Sequence, residues 1–293
     1  MPPGTLLGPG DDAAVLAATD RRVVVTTDVL VEGVHFRLDW SSPYQVGRKA
    51  VAANLADIVA MGAVPTSLVV GLALPGPTPV STVDELASGM WEEAGRCGAG
   101  LVGGDVVSCA EIVISVTALG DLQGRAPVTR GGARAGEMLA VCGRLGWAAA
   151  GLALLQRGWR SPLAVVGAHQ VPQPPYAAGP QAASAGATAM IDVSDGLLAD
   201  AGHLAETSGV AINIESAALP VGTELVDVAA SLGVDARHWV LTGGEDHALL
   251  GCFPLEVTLP AGWNRLGLVR AGSGVTVDSR PYEGPSGWAH FES

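Results

Sequence analysis

Lysine is almost missing from this chain: Lys49 is the only one in 293 residues. No GxxxxGK[ST] surrounds it, so a P-loop nucleotide site is excluded, and the lack of a VAIK-type lysine or HRD loop excludes a protein-kinase arrangement. GxSxG, HExxH and the EF-hand spacing are missing too, which removes a hydrolase nucleophile elbow, a zincin-type site and a calcium loop. There is no run of eighteen apolar residues, so no membrane-spanning helix is expected. The start, MPPGTLLGPGDD, lacks the basic head and apolar middle of a signal peptide, and the cytoplasm is the expected location. Cys97, Cys109, Cys142 and Cys252 form no CxxC pair and are expected to be reduced, buried small residues. Positive charge is scarce, with 16 Lys and Arg against 29 Asp and Glu and a net charge of −13, which argues against nucleic acid as a partner. The same charge would repel a nucleotide, so a polyphosphate ligand would need metal ions to bridge it to the protein. Gly8, Gly10 and Ala13 fit a loose GxGxxA pattern, but Pro9 interrupts it and Asp11 and Asp12 would face the pyrophosphate, so a dinucleotide fold is disfavoured.

What is present is a set of aspartates at the ends of apolar or Gly-rich stretches: Asp12 in GPGDD, Asp28 in VVVTTD, Asp57 in NLAD, Asp105 in LVGGD, and Asp192 and Asp195 in IDVSD. One such Asp most often caps a helix or starts a turn. Six of them, with almost no cations nearby, would repel one another on converging unless a divalent cation neutralised them. The chain therefore reads as a magnesium enzyme.

Residues 23–27, 67–74, 100–104 and 112–119 read as strands. A helix is expected from Ser42-Pro43 to Gly62, and another from Ser81, with Asp84 in capping-box spacing, to near Gly98. The Gly-rich stretch 129–136 marks a boundary between domains 1–130 and 131–293. The second half is expected to hold strands at 138–142, 189–193 and 210–214, helices at 147–157, 196–207 and 222–232, a rigid Pro-rich surface loop at 171–180, and short strands towards the end. With acids in both halves, the metals are expected at the seam between the domains.

Phosphoryl transfer requires hard cations to screen the transferring group and donors to hold it in line. Thr26, Thr27 and Asp28 form one oxygen cluster at a strand end. Asp57, one turn after Asn54 among apolar neighbours, would point back towards the strand ends. Gly103 and Gly104 before Asp105 allow close approach of backbone to a phosphate, and Arg130 is a candidate clamp. Asp192, Ser194, Asp195 and Gly196 mark a strand-to-helix junction suited to anions, although Ser194 could equally be only an N-cap.

In this order, GDDAAVL, TTDVLVEGVHF, KAVAANLADIVAMGA, GGD, IDVSDGL and TGGEDH resemble the thiamine-monophosphate kinases, over nearly the whole chain. The wider superfamily includes aminoimidazole ribonucleotide synthetase, selenophosphate synthetase and a hydrogenase maturation factor. The resemblance implies an α/β (α+β) two-domain fold of the aminoimidazole ribonucleotide synthetase type, with N-terminal sheets pairing into a barrel in a homodimer. It implies ATP-dependent phosphorylation of thiamine monophosphate to thiamine diphosphate with several Mg²⁺ ions. By motif, Asp12, Thr26, Thr27, Asp28, Asp57, Asp105, Asp192 and Asp195 would bind magnesium, with Asp28, Asp57 and Asp192 at the catalytic centre. Gly104, Asp105, Arg130 and Ser194 would contact ATP. His35, Glu245 and Trp288 would hold thiamine monophosphate, with Trp288 offering its face to the cationic ring system.

The chain departs from the family pattern in places. It has ten residues before Asp11 where relatives carry a further helical segment, Gly146-Trp147-Ala148 where many carry GDS, and Ala87 where some have an aromatic residue. His247 replaces a more usual Tyr, and Ala168, Val171 and Pro175 stand at positions of arginines. These changes bear on nucleotide affinity more than on metal binding. The residues leave two other readings open: a related ATP-dependent enzyme, such as an amidine-forming ligase or a selenophosphate synthetase-like protein, and a non-catalytic sensor of nucleotide or metal.

Overall fold

The computed structural model describes residues 1–8 and 13–288, so Asp12 and the rest of the GDD motif lie outside the described residues. The chain divides into two compact units, Met1–Val59 with Ala63–Ala126, and Ala60–Gly62 with Pro127–Ser293.

The first unit opens with a short antiparallel pair, β1 (Thr5–Leu7) and β2 (Val15–Leu16). Next come β3 (Val24–Val31), α1 (Pro43–Ala60), β4 (Val64–Leu74), α2 (Val80–Gly95), β5 (Gly100–Ser108) and β6 (Val113–Asp121). The four long strands form one sheet in the order β3-β6-β4-β5, with β4 and β5 parallel and the other pairs antiparallel. Period-two burial defines its inner face: Leu30, Leu68, Val70, Leu72, Ile114, Val116 and Ala118 are buried. Alternate positions leave Val25, Val29 and Val69 exposed on the other face. A capping box does start a helix in this unit, but it belongs to α1, where Ser42 Oγ accepts from the Gln45 amide and Gln45 Oε1 accepts from the Ser42 amide. The box expected at Ser81 and Asp84 does not form. α2 begins one residue earlier, after Pro79, without a side-chain cap, because the fixed φ of Pro79 already sets the entry angle.

The second unit contains β7 (Met138–Cys142), α3 (Trp147–Gln156), α4 (Leu163–Gln170), α5 (Ala178–Ala185), β8 (Ala189–Val193), α6 (Leu197–Ser208) and β9 (Ala211–Ile214). It continues with α7 (Thr223–Leu232), α8 (Ala236–Thr242), β10 (Ala248–Phe253), β11 (Trp263–Arg270), β12 (Gly274–Val277) and β13 (Arg280–Pro281). Its sheet runs β13-β12-β9-β11-β7-β10-β8, antiparallel except for the β12–β9 pair. Helices α4, α5 and α8 were not expected from the sequence, and the Pro-rich loop is shorter than expected because α5 starts at Ala178. Every residue of β7, β8 and β10 is buried, so these strands are covered on both faces, and Asp192 is the one charged residue in them. No helix among the described residues is long and apolar enough to cross a membrane. All four cysteines are free, but only Cys142 and Cys252 are buried as expected; Cys97 is half-buried, and Cys109 is exposed, since it follows the edge strand β5.

Candidate active site

In the first unit, α1 and β3 build an oxygen cluster. Asp57 and Asn54 lie one turn apart on α1 and both reach β3: Thr26 Oγ1 donates to Asp57 Oδ2 at 2.7 Å, and the Asp28 amide donates to Asn54 Oδ1 at 3.0 Å. Asn54 is held in turn by donating from Nδ2 to the Ala50 carbonyl. Thr26 and Asp28, two residues apart on β3, present their side chains to the same helix-covered face. The loop after β3 carries His35. Its Nδ1 accepts from the Val31 amide at 3.0 Å, which leaves Nε2 to carry the ring proton. Lys49, buried, donates from Nζ to the His35 carbonyl at 2.9 Å. The single lysine therefore braces the His35 loop.

The structure does not gather every first-half candidate onto this face. Thr27 points the other way and donates to the Val116 carbonyl and accepts from Thr117. Asp105 pairs with Gly71 in the row that also contains Ser115 and Val29, on the open face of the sheet. A β-bulge at Val102, between Leu101 and Gly103 in β5, sets that phase. Gly104 is required by packing, because a Cβ there would collide with the Val70 carbonyl oxygen.

In the second unit, the turn from β8 into α6 is the organising feature. Asp192 is buried near the end of β8, and its Oδ2 lies 3.0 Å from His247 Nδ1. The Ser194 carbonyl accepts from the Glu245 amide at 2.8 Å, and the Asp195 carbonyl accepts from the Trp288 amide at 3.0 Å. Ser194 is not the N-cap of α6; Gly196 is. Asp200, inside α6, folds back and accepts from the amides of Asp195 and Gly196 through Oδ2, which fixes the turn. Glu245 Oε2 lies 3.4 Å from Nδ1 of the buried His169. Trp288 is 66% exposed, so its indole faces solvent while its backbone is fastened to the turn.

The electrostatics of this end are those of buried acids. Burial first, and then the charge of Asp192, push the Asp200 carboxyl up to about 7; the Gly196 amide opposes the shift. Asp246, between Glu245 and His247, is turned into the core, where burial raises it to about 7 against the amides of Ala148 and Gly146 that donate to it. Carboxylates of Asp195 and Asp200 and a ring nitrogen of His203 have ligand atoms within 4.8 Å of one another. Asp200, His203 and His169 were missed in the sequence, and His247 was noted there only as a departure from the family pattern. The Asp200–His203 pair carried a readable signal, since an i,i+3 spacing places both on one helix face.

Arg130 stands apart from Ser194. The carbonyl of its neighbour Thr129 accepts from Met190 at the start of β8, and its own carbonyl accepts from Ser208 at the end of α6. Its backbone is therefore at the opposite end of α6, about 18 Å along the helix from the turn.

The donors suit a hard divalent cation. Thr26, Asp28 and Asp57 offer only oxygens, and a cation at Asp192 would offset the repulsion that adds to burial in raising Asp200.

Residues 10–122 match the family model described as AIR synthase related protein, N-terminal domain. The chain is 56% identical over 293 residues to a thiamine-monophosphate kinase of Mycobacterium tuberculosis (strain ATCC 25618 / H37Rv), covering 99% of this chain and 87% of the relative. A solved structure described as AaThiL complexed with AMPPCP and TMP matches with a TM-score of 0.86 at 37% identity, covering 92% of this chain and 87% of that one. The hydrogenase maturation protein HypE in complex with ATP matches with a TM-score of 0.74 at 20% identity, over 89% of this chain and 80% of that one, which is a likeness of fold alone.

Proposed function

The chain belongs to the thiamine-monophosphate kinase family, and on that premise we propose how its own residues carry out the ATP-dependent phosphorylation of thiamine monophosphate to thiamine diphosphate. Asp28, Asp57 and Thr26 in the first unit, and Asp192 and Asp195 in the second, would hold Mg²⁺, with Asp12, Thr27 and Asp105 added by motif. Bound there, the ions would screen the charge on the transferring phosphoryl group and on the departing ADP.

The observation that carries the reading is the turn after β8. One stretch of backbone fastens Ser194, assigned to the nucleotide, and Asp195, assigned to metal, to Glu245 and Trp288, assigned to the acceptor. Fixing donor and acceptor groups on one turn lowers the entropy cost of in-line alignment. Trp288 presents an exposed aromatic face suited to a cationic thiazolium. His35, held by Val31 and Lys49, keeps an Nε2 proton to donate to an acceptor phosphate. Gly104, Asp105 and Arg130 are assigned to the nucleotide by the resemblance. The acceptor is a phosphate oxygen already ionised at neutral pH, so no side chain has to act as general base.

The enzyme is further proposed to be a homodimer in the cytoplasm. The open face of the first unit's sheet, with Val25 and Val29 exposed, suits pairing with the same face of a second copy, and four free thiols fit a reducing compartment. The test is incubation of pure protein with ATP, Mg²⁺ and thiamine monophosphate. Thiamine diphosphate and ADP should form in equal amounts; release of free phosphate instead would indicate a ligase-type enzyme. No diphosphate with any divalent metal would refute the reading.

A further inference from the structure

His247 occupies an unusual place. It precedes β10, its φ is +52°, and Glu245 two residues earlier is also left-handed at +64°. Side chains other than glycine adopt this region at a cost, and histidine is among the residue types that tolerate it best. The two reversals aim three consecutive side chains in different directions. Glu245 lies beside His169, Asp246 enters the core, and His247 turns back onto Asp192. Asp192 and His247 are both buried, and a carboxylate can only accept, so Nδ1 of His247 carries the proton between them.

We propose that His247 is a positioning residue for metal binding at Asp192. Its Nδ1–H holds Oδ2 and fixes the plane of the carboxylate, leaving Oδ1 as the oxygen offered to a cation. This rests on the reading of Asp192 as a metal ligand. A ligand carboxylate without such a partner would rotate about its terminal torsion, and outer partners of this kind commonly govern affinity. The role requires the side chain alone. The His247 amide already donates to the Val193 carbonyl at 3.0 Å, and that backbone bond survives replacement of the ring.

The test uses the full chain and Mn²⁺ as the probe, followed by electron paramagnetic resonance and calorimetry. Asp192→Asn should lose one bound Mn²⁺. His247→Phe, which keeps a ring but no donor, should weaken that same ion roughly 10- to 100-fold. His247→Asn, which tolerates a left-handed backbone and keeps a donor near the Nδ1 position, should stay within about threefold of wild type. The KM for Mg²⁺ should follow the binding losses, while kcat at saturating Mg²⁺ stays within about threefold. Unchanged Mn²⁺ binding by His247→Phe, where Asp192→Asn loses the ion, would overturn the positioning role, as would equal losses in His247→Phe and His247→Asn. If Asp192→Asn keeps every ion, the ligand reading of Asp192 fails first. Should His247→Phe not fold, His247→Ala takes its place in the comparison with His247→Asn.

Discussion

Thr26 on β3 donates its hydroxyl to Asp57 on α1 at 2.7 Å, so a strand and a helix are joined at one oxygen cluster. Asp57→Asn keeps the size of the side chain but removes the charge a cation would use. It should lower kcat/KM by roughly 10²–10³, or about 3–4 kcal/mol of barrier, with the circular dichroism spectrum unchanged. Thr26→Val should weaken apparent Mg²⁺ affinity about tenfold. Steady-state kinetics over a range of Mg²⁺ concentrations checks both, and wild-type rates in Asp57→Asn would remove the cluster from the reaction.

Asp246 gives a pH dependence of stability with a definite sign. Its carboxyl titrates near 3.8 when unfolded and is pushed up to about 7 in the fold, chiefly by burial. Between these values the folded state binds more protons than the unfolded one, so stability falls as pH rises from about 4 to about 7 and is level above. Asp200 acts in the same direction. In metal-free buffer the urea midpoint should be higher at pH 5 than at pH 8, and Asp246→Asn should flatten part of that slope. The substitution should also cost about 1–3 kcal/mol at pH 5, because one of the two amide donors from Gly146 and Ala148 loses its acceptor. A slope equal to wild type would mean that the carboxyl stays ionised throughout.

How much of this was legible in the sequence depends on the range of the interaction. Period-two alternation along VVTTDVLV already separates Thr26 and Asp28 from Thr27, and the Asn54–Asp57 spacing already places both on one helix face. The facing of Asp105 was not legible, because a bulge at Val102 shifts the phase that a regular strand would have kept. Helix α4, LAVVGAHQ, is apolar almost throughout and shows no helical period, while α5 is made of small residues with an internal proline. Neither carries the amphipathic signal on which helix recognition depends. The partnership of His247 with Asp192 spans 55 residues and exists only because β10 pairs antiparallel with β8. No local pattern encodes such a pairing.

Gly244 is required where the TGGEDH loop passes the β8–α6 turn, since a Cβ there would collide with the Ser194 carbonyl oxygen. Gly244→Ala must push apart the two strands of backbone that the Glu245–Ser194 hydrogen bond holds together. A loss of roughly 1–3 kcal/mol in stability is expected, with KM for thiamine monophosphate rising more than KM for ATP. Thermal unfolding and two-substrate kinetics measure these separately. Equal effects on both substrates would point to general loosening of the unit.

Val29 is 46% exposed on the open face of the first unit's sheet, in the row with Ser115 and Gly71. If that face pairs with a second copy, two-fold symmetry places the same residue in the contact twice, so a charge introduced there is buried twice. Val29→Asp should convert a dimer to a monomer in sedimentation velocity, with the fold intact by circular dichroism. A Val29→Asp protein that sediments like wild type would place the dimer contact elsewhere.

Trp288 is fastened by its backbone and open at its ring: its amide donates to the Asp195 carbonyl at 3.0 Å, while the side chain is 66% exposed. A preceding residue with a side chain would not fit, since a Cβ on Gly287 would lie 2.5 Å from the Asp195 carbonyl oxygen. The segment is therefore held close to the turn while the indole is free to meet a ligand. Trp288→Ala should raise KM for thiamine monophosphate about 3- to 30-fold, the range of a cation–π contact of roughly 0.5–2 kcal/mol, and should leave KM for ATP unchanged. Trp288→Phe should recover part of the loss, because it restores an aromatic face with a weaker quadrupole attraction. A methyl-bearing but uncharged analogue of the thiazolium ring separates charge from stacking. If it loses no affinity relative to the cationic form on wild-type protein, Trp288 acts by burial of apolar surface and the cation–π role is withdrawn.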